Sequence, residues 1–205
     1  THGLVEAGYA GNPKAFGLLR DFYDWFESSP YLPEMLRRPG QGVQGAIPLT
    51  RTYFSPVGKT DEICVMQRYF QQNYWMDWLK DRNTDAIWKY PYDRPHNYLV
   101  TAVEPYLDLY RATGDENYLE AVLGFWDLFH DNWEHIGGSL AINEGYFPYP
   151  PKSLFLKANT GELCGNAFWV KLNQRLHNLY PYEEKYVSEI EKSLYNVIIP
   201  NQVGD

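Results

Sequence analysis

Cysteine is scarce in this chain of 205 residues: there are two, Cys64 and Cys164. Two thiols cannot build the disulfide framework of a small secreted domain, so the fold must rest on a hydrophobic core. No apolar run reaches the ~18 residues of a bilayer span, and no membrane span is expected. Basic residues are outnumbered, 18 Lys and Arg against 26 Asp and Glu, for a net charge of −8. That charge repels a phosphate backbone, and no Lys/Arg block offsets it, which argues against nucleic acid as a partner. There is no Asn-x-Ser/Thr sequon and no charged-then-apolar leader, so the compartment stays open. A Gly-x-Ser-x-Gly elbow, a phosphate loop and a dinucleotide fingerprint are also missing. The chain opens at Thr1 in a helical pattern and stops just after another, at Pro200-Asn201-Gln202. It is therefore expected to be a segment of a longer protein.

Core formers, by contrast, are plentiful. Hydrophobic residues make up 44% and aromatic residues 17%, far beyond the composition of a disordered chain. Their spacing is helical: Tyr98, Leu99, Ala102, Val103, Tyr106, Leu107 and Tyr110 recur three and four apart, the mark of an amphipathic helix. Pro105 lies inside that stripe and should kink the helix or open its preceding turn. After Thr113-Gly114-Asp115 a second stripe runs through Leu119, Val122, Trp126 and Phe129. Gly114 suits a left-handed helix end and Asp115 a cap, so the pair forms a helical hairpin. Similar hairpins are expected from Leu4 to Phe26, with Pro13 as a helix start, and from Phe168 to Val197. A long helix is expected over Asp61–Asp81. Repeated hairpins of irregular period point to an all-α fold, an (α/α) toroid or partial barrel forming one domain over residues 1–205. Two stretches interrupt the pattern, 38–59 and 134–161, both marked by Gly and Pro. As long loops they should line the mouth of the ring.

Several residues in this frame carry candidate chemistry. Glu162 and Cys164 sit two apart where a helix begins, and a carboxylate and thiol so placed can converge on one zinc ion. They equally suit an acidic first-turn residue and a small buried hydrophobe. Glu62-Ile63-Cys64 repeats the spacing at another helix start, so the pattern alone arises cheaply. Glu144 lies among aromatics in the second loop, where a raised pKa would suit a general acid, although a solvated loop glutamate reads the same. His96 opens a helix, a position that structural and capping histidines also occupy. The seven Trp and eighteen Tyr fit sugar stacking and a thick helical core alike.

Taken in order, these landmarks resemble glycoside hydrolase family 127, typified by β-L-arabinofuranosidases. The matching blocks are His2-Gly3-Leu4-Val5-Glu6-Ala7, Pro95-His96-Asn97-Tyr98-Leu99 and Thr160-Gly161-Glu162-Leu163-Cys164-Gly165-Asn166. Leu172-Asn173-Gln174-Arg175-Leu176 follows, ahead of Glu191-Lys192-Ser193-Leu194-Tyr195-Asn196. The resemblance implies a six-hairpin helical barrel and retaining hydrolysis of arabinofuranosyl-type glycosides, with an oligosaccharide or glycan as ligand. It implies zinc held by Glu162 and Cys164, Glu144 as general acid/base, and His2 and His96 hydrogen-bonded to sugar hydroxyls. The family nucleophile is a zinc-bound thiolate from a downstream cysteine pair. No cysteine follows Cys164, so the nucleophile and two zinc ligands are expected outside this chain, and the segment alone should be inactive. Glu144 also stands slightly further from Glu162 than in the family pattern. The alternatives are a non-catalytic glycan-binding or assembly toroid, and a lyase or epimerase on a similar barrel. A second copy of the chain or the rest of a parent chain remains open as protein partner.

Overall fold

Every regular element is helical among the residues that the computed structural model describes, 1–35, 49–71, 75–89, 96–138, 140 and 163–202. The extended pairing found among them is an isolated antiparallel bridge between Glu134 and Leu140. The all-α expectation holds. The helices are α1 (His2–Tyr9), α2 (Ala15–Glu27), α3 (Leu32–Met35), α4 (Thr60–Gln71), α5 (Trp75–Lys80), α6 (Thr84–Lys89), α7 (His96–Thr113), α8 (Glu116–Trp133), α9 (Leu163–Leu179) and α10 (Glu184–Ser193). A π turn, Leu194–Ile198, and a 3₁₀ turn, Ile199–Asn201, continue α10. None of the described helices is long and apolar enough to cross a membrane.

The helices pair as hairpins, α1 with α2, α7 with α8 and α9 with α10. The α7–α8 turn works as the sequence implies. Gly114 takes φ 72°, and the Asp115 carboxylate accepts from the Asn117 amide at 3.0 Å, replacing a partner that the first turn lacks. Helix α7 runs through Pro105 without a break. Residues 101–109 are all buried, so this middle part of α7 is covered on every side. Helix α5 lies across α8 at Gly124, where a Cβ would stand only 1.9 Å from the Leu79 carbonyl oxygen. Only glycine permits that approach.

Two expectations change in detail. The stretch Asp61–Asp81 is helical as α4 and α5, with residues 72–74 between them outside the described residues. Within 38–59, residues 49–53 form a helical turn whose Leu49 and Thr52 are fully buried. Counting Gly and Pro across the whole stretch hides the fact that 49–55 contains neither.

Many of the aromatics are core. Trp126 and Trp169 stack at 5.9 Å, Phe129 meets Trp169 at 5.3 Å, and Tyr186 meets Trp126 edge-on at 5.5 Å. This cluster joins α8, α9 and α10, and each such side chain removed from water contributes about 1.5–3 kcal/mol. The indole N–H of Trp126 donates to Asn173 Oδ1 at 2.7 Å, so its polar edge is satisfied inside the core.

Candidate functional site

The position of the candidate residues follows from how α7 lies on α9. Lys171 Nζ stands 2.9 Å from Glu104 Oε1, and Arg175 NH1 stands 3.0 Å from the same oxygen. Arg175 NH2 donates to Asp108 Oδ1 at 2.5 Å. Contacts that advance together along both helices mean that α7 and α9 run parallel. His96 lies two turns before Glu104 and Cys164 two turns before Lys171, roughly 10–12 Å along either axis. The first turns of both helices therefore sit at the same end, on neighbouring axes about 8–10 Å apart.

The carboxylates that set this register are buried, and the cations that meet them are half-buried. Burial pushes the Glu104 carboxyl up, but Lys171 and Arg175 outweigh it and hold the group below its ordinary value. Arg51, from the 49–53 turn, adds a third cation at 3.4 Å. Burial raises the Asp108 carboxyl despite Arg175 beside it. Sequence alone does not single out this cluster. Its signal was present, because Glu104 and Asp108 stand four apart inside an otherwise apolar stripe, as do Lys171 and Arg175 on α9.

Cys164 is the second residue of α9, half-buried, and forms no disulfide. Two residues on, Asn166 ties the region together. Its Nδ2 donates to the Gly138 carbonyl at 2.7 Å and to Ser193 Oγ at 3.2 Å, while its Oδ1 accepts from the Leu140 amide at 3.3 Å. The stretch 134–161 thus starts beside the helix that follows it, at the same end as His96.

Among the five candidates, His96 and Cys164 are the pair whose backbone positions the fold brings together. Glu144 and Glu162 lie outside the described residues, as do the side chains of His2 and His96. His2 opens α1, whose Tyr9 hydroxyl donates to the Phe54 carbonyl at 3.4 Å. The Arg111 guanidinium stacks on Phe54 at 4.7 Å. The last turn of α1 therefore lies near the C-terminal end of α7, with His2 at the opposite end of α1.

The second Glu-x-Cys has a different fate. Glu62 is fully buried, accepts from Arg20 NH1 at 2.5 Å and accepts from the Lys59 amide. It fills the reciprocal half of a helix-capping box, and Cys64 points to solvent. A separate set of donor atoms, on His130, Glu134 and Glu189, lies within 4.8 Å. Lys192 Nζ already bridges its carboxylates, at 2.9 Å from Glu134 and 2.7 Å from Glu189. Both features are structural ion networks, and neither is assigned a metal.

No curated protein and no solved structure matches the chain. The family model described as "Beta-L-arabinofuranosidase, GH127 catalytic domain" matches residues 68–205, a range that includes α7, α9 and the stretch between α8 and α9. The chain belongs to the GH127 catalytic-domain family of glycoside hydrolases.

Proposed function

We propose that this chain is the part of a retaining, zinc-dependent arabinofuranosidase that carries its general acid/base and two of its zinc ligands. The supporting observation is the parallel register of α7 and α9, which sets the helix starts at His96 and Cys164 side by side at the end where 134–161 begins. The donor set suits zinc: a carboxylate at Glu162 and a thiol at Cys164 flank the first residue of α9, and zinc accepts mixed oxygen and sulfur ligands. Bound there, zinc would supply a coordinating thiolate as nucleophile at neutral pH. That thiolate comes from outside these 205 residues, since no cysteine follows Cys164.

The chain's own residues do the remaining work. His2 and His96 hydrogen-bond sugar hydroxyls and fix the ring beside the scissile bond. Glu144 protonates the departing oxygen in the first displacement. In the second it takes a proton from water, so the anomeric configuration is retained.

The test uses the full-length parent protein. Glu144→Ala should lower kcat on an aryl arabinofuranoside by about 10²–10⁴-fold, the usual contribution of a general acid/base, with zinc content unchanged. Cys164→Ser should lower the zinc content. Hydrolysis untouched by Glu144→Ala would defeat the assignment, and glycan binding without any hydrolysis would turn the reading to a non-catalytic module.

A further inference from the structure

A recess of about 260 Å³ opens on the flank of α8, beside the turn that joins α9 to α10. Arg82, Asp127, Glu183 and Lys185 stand around it, over a floor that includes Trp126 and Tyr180. Tyr180 follows the last turn of α9 whereas Cys164 lies in its first, a separation of roughly 24 Å along the helix. The recess is therefore distinct from the candidate site.

Its chemistry selects among ligands. The Arg82 guanidinium grips Asp127 Oδ2, at 2.7 Å from Nε and 2.6 Å from NH2. Lys185 Nζ hangs over the Trp126 ring at 4.7 Å and over Tyr186 at 5.1 Å. Two cations and two carboxylates balance, so a ligand of either net charge meets repulsion as well as attraction. A neutral polyhydroxyl ring finds both donors and acceptors, and its C–H face packs on the half-buried Tyr180 ring, Trp126 being already covered by Lys185. The volume falls just below the ~300 Å³ at which pockets for larger ligands begin, which suits one ring and not several.

The backbone adds an independent observation. Arg82 has φ 53° and is the non-glycine residue with positive φ among the described residues. It closes α5 in a Schellman turn: its amide donates to the Leu79 carbonyl at 3.0 Å, and the Asn83 amide donates to Trp78 at 2.8 Å. That position normally holds glycine. An arginine kept there on an exposed turn carries backbone strain, and strain of this kind collects at functional sites.

We propose that the recess between Arg82, Trp126, Asp127, Tyr180 and Lys185 binds one neutral sugar residue of a glycan, apart from the site at the start of α9. The proposal shares with the proposed function only the premise that the ligand is a glycan.

Affinity electrophoresis of the full-length protein in gels containing arabinan, galactan, xylan or polygalacturonate tests it. Retention is expected on at least one neutral polymer and not on polygalacturonate. Arg82→Gly should weaken that retention about tenfold, the loss expected for a hydrogen bond to a charged group. Because glycine relieves the positive φ, its Tm should hold or rise, which a purely structural arginine would not allow. Lys185→Ala should weaken retention in the same direction. Absence of retention on every neutral polymer, retention on polygalacturonate alone, or equal retention by wild type and Arg82→Gly would overturn the proposal. Retention that falls with Arg82→Gly upholds it even if the parent hydrolyses no arabinofuranoside.

Discussion

Two of the buried ionic clusters in this chain differ in how their charge is balanced. Between α7 and α9, Glu104 and Asp108 face Lys171, Arg175 and Arg51, with Arg111 at 3.6 Å from Asp108. Between the end of α8 and α10, Glu134 and Glu189 share Lys192 and the ring of His130, whose Nδ1 lies 2.7 Å from Glu134. Burial opposes ionisation in both places. In the first, cations are in excess and Glu104 is held below its ordinary value. In the second, burial and the hydrogen bond that protonated Glu134 donates to the neighbouring Glu189 carboxylate push Glu134 up to about 8, so one proton stays in the pair at neutral pH. Cations outweigh burial at Glu104, whereas at Asp108 in the same cluster burial still prevails. The Glu134–Glu189 pair is the brace that changes protonation near neutral pH.

The largest effect should come from breaking the cation-rich cluster. Arg175→Met leaves Glu104 and Asp108 buried with weaker partners, and should cost about 3–5 kcal/mol. In a chain of this size that is a fall in Tm of about 10 °C or more. A loss under ~1 kcal/mol by urea unfolding would mean that Lys171 and Arg51 suffice, and the two clusters would no longer differ as described.

A smaller effect should come from Glu134→Gln, and its signature is the pH profile. Glu134 has its pKa raised on folding, so the native state holds a proton that the unfolded chain releases. Stability is then greatest below the ordinary carboxyl range and is lost as pH rises towards 8. The wild type should lose roughly 3–6 °C in Tm between about pH 5 and 8. Glu134→Gln should flatten that slope, and equal slopes for the two proteins would break the comparison. The smallest effect belongs to Arg111→Ala. Its guanidinium is more than half exposed, so its removal should change stability by no more than about 0.5 kcal/mol in a chemical denaturation curve.

Much of this could be read without coordinates. The α7–α8 hairpin was visible in the 3.6-residue spacing from Tyr98 to Phe129, and Asp115 does cap α8. The family resemblance, carried by the block around Glu162-Leu163-Cys164, agrees with the family match over residues 68–205. The ion clusters were less legible. Glu104 and Asp108 look like ordinary helix charges until α9, some 70 positions later, supplies Arg175. The helical turn at 49–53 escaped because Gly and Pro on either side dominate the composition of 38–59. Asn166 belongs to the family-like block, but its service as a tie to Gly138, Leu140 and Ser193 depends on three segments meeting.

The two Glu-x-Cys tripeptides show where the boundary falls. Sequence by itself determined that each stands at a helix start, because caps, turn residues and apolar periodicity act over a few neighbouring positions. It also determined the all-α class and the family. Tertiary structure alone decided that Glu62 is held by an arginine 42 residues away, and that the helix starts at His96 and Cys164 share one end. Those outcomes rest on contacts between residues far apart in the chain, whose energies appear only once burial removes the charges from water and makes the choice of partner decisive.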